Sequence, residues 1–218
     1  PVIKSHLFQK KVIILYGARQ VGKTTLVKKI LADLKVTAKY LNCDEMDIQN
    51  LLREATNSSA LKQLMGNSKL VVIDEAQRIQ NIGLKLKLLA DTYPEIQIIA
   101  TGSSSFELAN EVVEPLTGRS VEFWLYPLST VELLQGNDRL KIARNLENYM
   151  IYGMYPAIIE AETIEKKAEH IKYLASNYLY KDILKVNSLK NSEIMTKLLT
   201  ALSLQIGNEV SYSDLSKF

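Results

Sequence analysis

At 218 residues, with 47% hydrophobic and 23% charged side chains, the chain has ordinary globular composition and enough apolar material for a sizeable core. Its formal net charge of +3 is too small to demand nucleic acid by itself, and its single cysteine, Cys43, excludes an internal disulfide and fits a reducing, cytoplasmic setting. No run of about 18 apolar residues is present, so neither a membrane span nor a membrane partner is expected, and no signal peptide is read at the start.

The first element in chain order is "KVIILY" (11–16), a short β-branched run bounded by glycine, which reads as a buried strand. "KTTLVKKILADL" (23–34) has helical spacing through Leu26, Ile30 and Leu34. "AKYLNCD" (38–44) reads as a second strand and "ALKQLM" (60–65) as a helix broken by Gly66 and Asn67. "KLVVIDEA" (69–76) is a third strand, apolar until Asp74. "GLKLKLLADTY" (83–93) is a helix stopped by Pro94, "IQIIATGSS" (96–104) a fourth strand with a polar end, and "RSVEFWLYPLS" (119–129) a fifth extended stretch. Near-continuous apolar strands separated by helices predict a parallel sheet covered on both faces, an α/β fold. Beyond about residue 130, "LKIARNLENYMIYG", "KKAEHIKYLASNYLYKDILK" and "SEIMTKLLTALSLQIG" all have helical period.

Between the first strand and the first helix, Gly17, Ala18, Arg19, Gln20, Val21, Gly22, Lys23 and Thr24 match G-x-x-x-x-G-K-[ST] in full. A loop that wraps phosphate with its backbone N–H groups needs glycines for its turns and for close approach. The following helix directs its positive end at the same anion. Lys23 can reach the β- and γ-phosphates of ATP, Thr24 offers a hydroxyl to Mg²⁺, and Thr25 stands toward the α-phosphate. Arg19 and Gln20 have no assigned role beyond backbone contacts. A tight strand-to-helix turn with a chance lysine is the plainer explanation, but the strand before it and the helix after it are the context the motif requires.

"LVVIDEA" is the second element of the site. A carboxylate at the end of a buried strand is costly without a partner. A magnesium ion suits Asp74, through a water, and Glu75 can orient or activate an attacking water. A solvent-exposed acidic turn is the alternative. The polar strand end "ATGSSS" resembles the place where AAA-like ATPases carry a residue that senses the γ-phosphate or places the water, and that resemblance implies such a role for Ser103, with Thr101 and Ser104 beside it; a Gly-Ser loop with no role is the alternative. In "PLTGRS", Arg119 could serve as a finger or sensor, in cis or on a neighbouring subunit, or be an ordinary surface arginine. His6 and His170 lack metal-ligand partners at suitable spacing. The tyrosines of "YMIYGMYPA" fall at helical spacing and read as packing residues.

A strand between the phosphate-loop strand and the Asp-Glu strand resembles the ASCE division of P-loop NTPases, where AAA+ proteins belong. That resemblance implies a sheet order of 5-1-4-3-2. "GARQVGKTTL", "YLNCDE", "VVIDEAQRI", "IIATGSSSFEL", "LTGRSVEFWLYPLS", "GMYPAII" and "YLYKDIL" follow one another in order, and nearly the whole chain resembles bacterial and archaeal ATP-binding proteins with an AAA-type ATPase domain followed by a conserved C-terminal domain of unknown function. The resemblance implies an ATP site at Gly17 through Thr25 with Asp74 and Glu75. It implies an ATPase domain over 1–130, a helical lid or linker over 131–190, and the start of a winged-helix-like domain over 191–218, where Ser213 reads as the N-cap of a second helix. The chain opens on Pro1 and ends within a predicted helix, so a piece of a longer protein is expected.

Together these residues predict Mg²⁺-dependent ATP hydrolysis that drives a conformational change. The alternative is a DNA-linked regulatory switch in which ATP binding, with little turnover, is the signal. DNA or a protein could engage the full-length chain through the part beyond residue 218, and an oligomer is compatible with the sequence. A small-molecule kinase is disfavoured, because no acceptor site with a second basic cluster is visible and the Asp-Glu pair favours water as acceptor.

Overall fold

The computed structural model describes residues 2–102, 115–136, 138–179 and 192–216. The chain divides into two compact units, Pro1–Ile159 and Glu160–Phe218.

The first unit is built on five strands: β1 (Val12–Gly17), β2 (Ala38–Asn42), β3 (Leu70–Asp74), β4 (Gln97–Gly102) and β5 (Ser120–Leu125). All four neighbouring pairs are parallel, and the order is β2-β3-β4-β1-β5, which is the expected 5-1-4-3-2. Strands β1, β3 and β4 are buried along their whole length. That is why their sequences read as unbroken apolar runs rather than alternating ones.

Helix α1 is Val2–Ser5, and α2 (Lys23–Asp33) follows β1. Val27 and Ile30 of α2 pack with Ile13, Leu15, Leu70, Val72 and Ile99 on one face of the sheet. Helices α3 (Met46–Glu54), α4 (Ser58–Met65) and α5 (Ile82–Thr92) cover the other face. There Leu52, Leu61, Met65, Leu86 and Leu89 pack with Ile14, Tyr16, Val71, Ile73 and Ile98. Successive strand residues point to opposite faces, so this division also decides which polar strand ends meet α2.

The sequence reading did not identify α3. Its signal was present, since Ile48, Leu51 and Leu52 fall at helical spacing and Ile48 and Leu52 pack on the core. Helix α5 ends one residue before the expected stop, at Thr92, with Tyr93 as C-cap ahead of Pro94. Four short helices follow β5: α6 (Thr130–Leu134), α7 (Arg139–Arg144), α8 (Leu146–Tyr152) and α9 (Pro156–Glu160). The stretch read as one helical segment over 140–153 breaks at Asn145, which serves as C-cap of α7 and N-cap of α8.

The second unit holds α10 (Ile164–Leu174), capped by Thr163, and a π-helical turn, Ala175–Leu179. It also holds α11 (Ser192–Leu204) and α12 (Tyr212–Leu215). The N-cap of α12 is Ser211, whose Oγ accepts from the Asp214 N–H at 3.1 Å, and this corrects the assignment to Ser213. The two serines stand two residues apart, and the extended backbone of Ser211 with its side-chain hydrogen bond marks it as the cap.

Candidate functional site

The loop between β1 and α2 owes its course to two glycines. Gly17 closes β1 against β5, where a Cβ would lie 2.5 Å from the Leu125 carbonyl oxygen. Gly22 precedes α2 at φ +103°, a left-handed conformation that side chains resist. Gly22 carries no side chain to cap α2, so the N–H groups of the first turn are presented to the loop. Between the glycines, Ala18 and Gln20 are exposed, Arg19 is half-buried and Val21 is buried; Thr25 is exposed on the first turn of α2.

Lys23 is only 4% exposed. Its Nζ donates to the carbonyl oxygens of Gly17 and Ala18, both at 3.0 Å, and so ties the helix start back across the loop. Burial pushes the ammonium pKa down, while the charges of Glu75 and Asp74 act in the opposite direction.

Asp74 ends β3 and is 3% exposed. Strand alternation turns it to the same face as Leu70 and Val72, toward α2. Thr24 Oγ1 donates to its Oδ2 at 2.8 Å, the Tyr40 phenol donates to the same Oδ2, and Thr101 Oγ1 donates to Oδ1. These hydroxyls satisfy a buried carboxylate that would otherwise be costly. Burial first, then the hydrogen bond to Asp74, raises the Tyr40 pKa, so the phenol stays protonated and donates.

Glu75 has φ +54°, a left-handed conformation uncommon outside glycine. Strain of this kind concentrates where a side chain must be aimed away from the regular path of the chain. Its N–H donates to Thr101 Oγ1 at 3.2 Å, and its Oε2 accepts from Gln77 Nε2 at 2.5 Å. Thr101 therefore touches both acidic residues.

The structure brings Lys23, Thr24 and Asp74 together, with Glu75 beside them. It does not bring Arg119 to this group. The Arg119 carbonyl accepts from Val12 N–H at 2.8 Å, at the start of β1, and its Nε is 2.5 Å from Asp91 Oδ1 just before the end of α5. At about 3.3 Å per residue, the two ends of β1 stand roughly 16 Å apart. A cis role for Arg119 at this chain's own phosphate loop does not fit that placement. Ser103 and Ser104 lie outside the described residues.

Tyr40 and Gln77 are the contacts that sequence reasoning missed. Tyr40 lies within the quoted "AKYLNCD", and its signal was one of parity: β2 runs beside β3 with Asn42 level with Asp74, so Tyr40 shares Asp74's face. Gln77 follows the acidic pair by two residues, but its contact depends on the left-handed turn at Glu75.

Among the described residues no group of three or more His, Cys, Asp or Glu side chains could hold a metal. One buried carboxylate beside one hydroxyl is instead a donor set that fits Mg²⁺, which keeps waters and takes phosphate oxygens alongside one or two protein groups. No helix among the described residues is long and apolar enough to cross a membrane.

A family model for the AAA domain matches residues 9–134, and one for a domain of unknown function matches residues 143–218. An uncharacterized protein of Methanocaldococcus jannaschii is 24% identical over 227 residues, covering 98% of this chain and 51% of that protein. A second from the same organism is 28% identical over 249 residues, covering 95% and 51%. The chain spans about half the length of these curated relatives. Among solved structures, a Walker-type ATPase of Pyrococcus abyssi is similar in fold at a TM-score of 0.54 and 15% identity, over 94% of this chain and 82% of that one.

Proposed function

The chain belongs to the AAA-domain family, and from that premise we propose that it binds ATP with Mg²⁺ and hydrolyses it to ADP and phosphate. The observation that supports this best is the 2.8 Å hydrogen bond from Thr24 to Asp74, which joins the phosphate loop to the acidic strand end. The loop N–H groups from Gly17 to Gly22 and the first turn of α2 would cradle the phosphates. Lys23 would leave the Gly17 and Ala18 carbonyls for the β- and γ-phosphates and stabilise charge on the transferring group. Thr24 and Asp74 would hold a magnesium ion, which when bound neutralises charge on the phosphates. Glu75 would orient a water and accept its proton. Gln77 donates to one carboxylate oxygen, Oε2, which leaves acceptor positions on Glu75 for that water.

In this reading residues 1–130 form the ATPase domain, 131–190 a helical lid or linker that senses hydrolysis, and 191–218 the start of a winged-helix-like domain. The setting is cytoplasmic, and Ser103 remains the candidate γ-phosphate sensor. The test is Mg²⁺-dependent phosphate release by this chain and by Lys23→Ala and Glu75→Gln. Loss of turnover in both, with ATP binding kept in Glu75→Gln, is the expected result. Tight ATP binding without turnover in the native chain would favour a nucleotide-dependent switch instead.

A further inference from the structure

Asp74 Oδ2 accepts two hydroxyl donors, Thr24 and Tyr40. A carboxylate oxygen has about two lone-pair positions for donors, so both are taken. The two donors are not equivalent. A threonine hydroxyl has one hydrogen and two lone pairs, so Thr24 can keep its hydrogen bond to Oδ2 while turning a lone pair to a cation. The second position on Oδ2 is where a metal-bound water would donate, and the Tyr40 phenol holds it.

Tyr40 is also placed where it can yield. It lies on β2, the edge strand of the sheet, which among the described residues pairs with β3 alone. Its ring is half-buried, with Lys28 Nζ of α2 at 5.3 Å from the centroid. Thr101, by contrast, holds Oδ1 from the fully buried strand β4 and also receives the Glu75 N–H.

We propose that Tyr40 is a displaceable latch on Asp74, whose phenol takes the place of a metal-bound water and must leave when the metal–nucleotide complex is loaded. The latch rests on the reading of this site as a Mg²⁺–ATP site. Metal loading then competes with a protein hydrogen bond, and the position of edge strand β2 is coupled to occupancy of the site. Thr101 has the opposite role: it fixes the carboxylate from the other oxygen and supports metal loading.

The test uses the fluorescent nucleotide N-methylanthraniloyl-ADP, titrated into this chain with Mg²⁺ and with EDTA. The readout is the ratio of the two affinities, which isolates the metal and does not depend on turnover. Tyr40→Phe keeps the ring and its packing and removes only the hydroxyl. It is expected to raise the ratio about three- to tenfold, the part of a charged hydrogen bond not recovered when water fills the position. Affinity in EDTA is expected to stay unchanged. Thr101→Val is expected to lower the ratio. An unchanged or lowered ratio in Tyr40→Phe, with the native chain responding to Mg²⁺, overturns the latch and leaves the nucleotide site standing. Failure of the native chain to bind the nucleotide at all overturns the site itself and the latch with it.

Discussion

Thr24 and Asp74 are separated by 50 residues in sequence, yet a 2.8 Å hydrogen bond joins them. The bond ties the first turn of α2 to the carboxyl end of β3 and sets the spacing between phosphate loop and acid. Thr24→Val keeps the shape of the side chain and removes its hydroxyl. It is expected to reduce the Mg²⁺ dependence of nucleotide binding about 10- to 100-fold. Affinity in EDTA should be retained, as an equilibrium titration would read.

Glu75→Gln removes a proton acceptor and keeps the size of the side chain. Phosphate release is expected to fall about 10²- to 10⁴-fold, the range for loss of a general base. ATP binding should survive, because the lysine, the hydroxyl and Asp74 are untouched. Turnover that persists in this variant would remove Glu75 from the mechanism.

Gly17→Ala places a methyl 2.5 Å from the Leu125 carbonyl oxygen, a backbone atom that cannot swing aside. Strands β1 and β5 must then separate, and a loss of about 2–4 kcal/mol of stability is expected from such a core clash. Gly22→Ala meets nothing within 4 Å, and its strain comes from φ +103° alone. It should cost less, about 1–2 kcal/mol, and thermal unfolding of the two variants orders them.

Cys43 is buried, and its thiol pKa is pushed up to about 12, first by burial and then by the charges of Asp74, Asp44 and Glu75. Since the thiolate is the reactive form, the native chain is expected to resist a disulfide reagent at pH 8. It should react fully once unfolded in denaturant. Rapid labelling of the native chain would show that the edge of the site around β2 opens readily.

Arg119→Ala removes an exposed ion pair with Asp91 at the amino end of β1 and β5, away from the phosphate loop. Turnover of the dilute chain is expected to be unchanged. A loss of activity that appears only as protein concentration rises would assign Arg119 to the site of a neighbouring copy.

Much of the fold was legible because burial on both faces leaves a direct mark on a strand. "VIILY", "LVVI" and "QIIAT" could hardly be anything but central parallel strands, and the glycines of the loop are demanded by backbone geometry that no other residue tolerates cheaply. Ser211 and Asn145 were not legible, since several polar residues in each stretch could cap or break a helix and the backbone decides among them.

The sequence by itself determined the phosphate loop, the acidic strand end and the residue types for their chemistry, because each is a local pattern of a few residues with one physical purpose. Only the tertiary structure decided which distant side chains share that site. It admitted Tyr40 and Thr101 through strand parity and neighbouring registers, and it set Arg119 at the opposite end of the strands from the phosphate loop, because β5 runs parallel to β1 and Arg119 stands just before its beginning. Those outcomes follow from which strands lie side by side and in which direction, and a one-dimensional pattern does not contain that information until the sheet has formed.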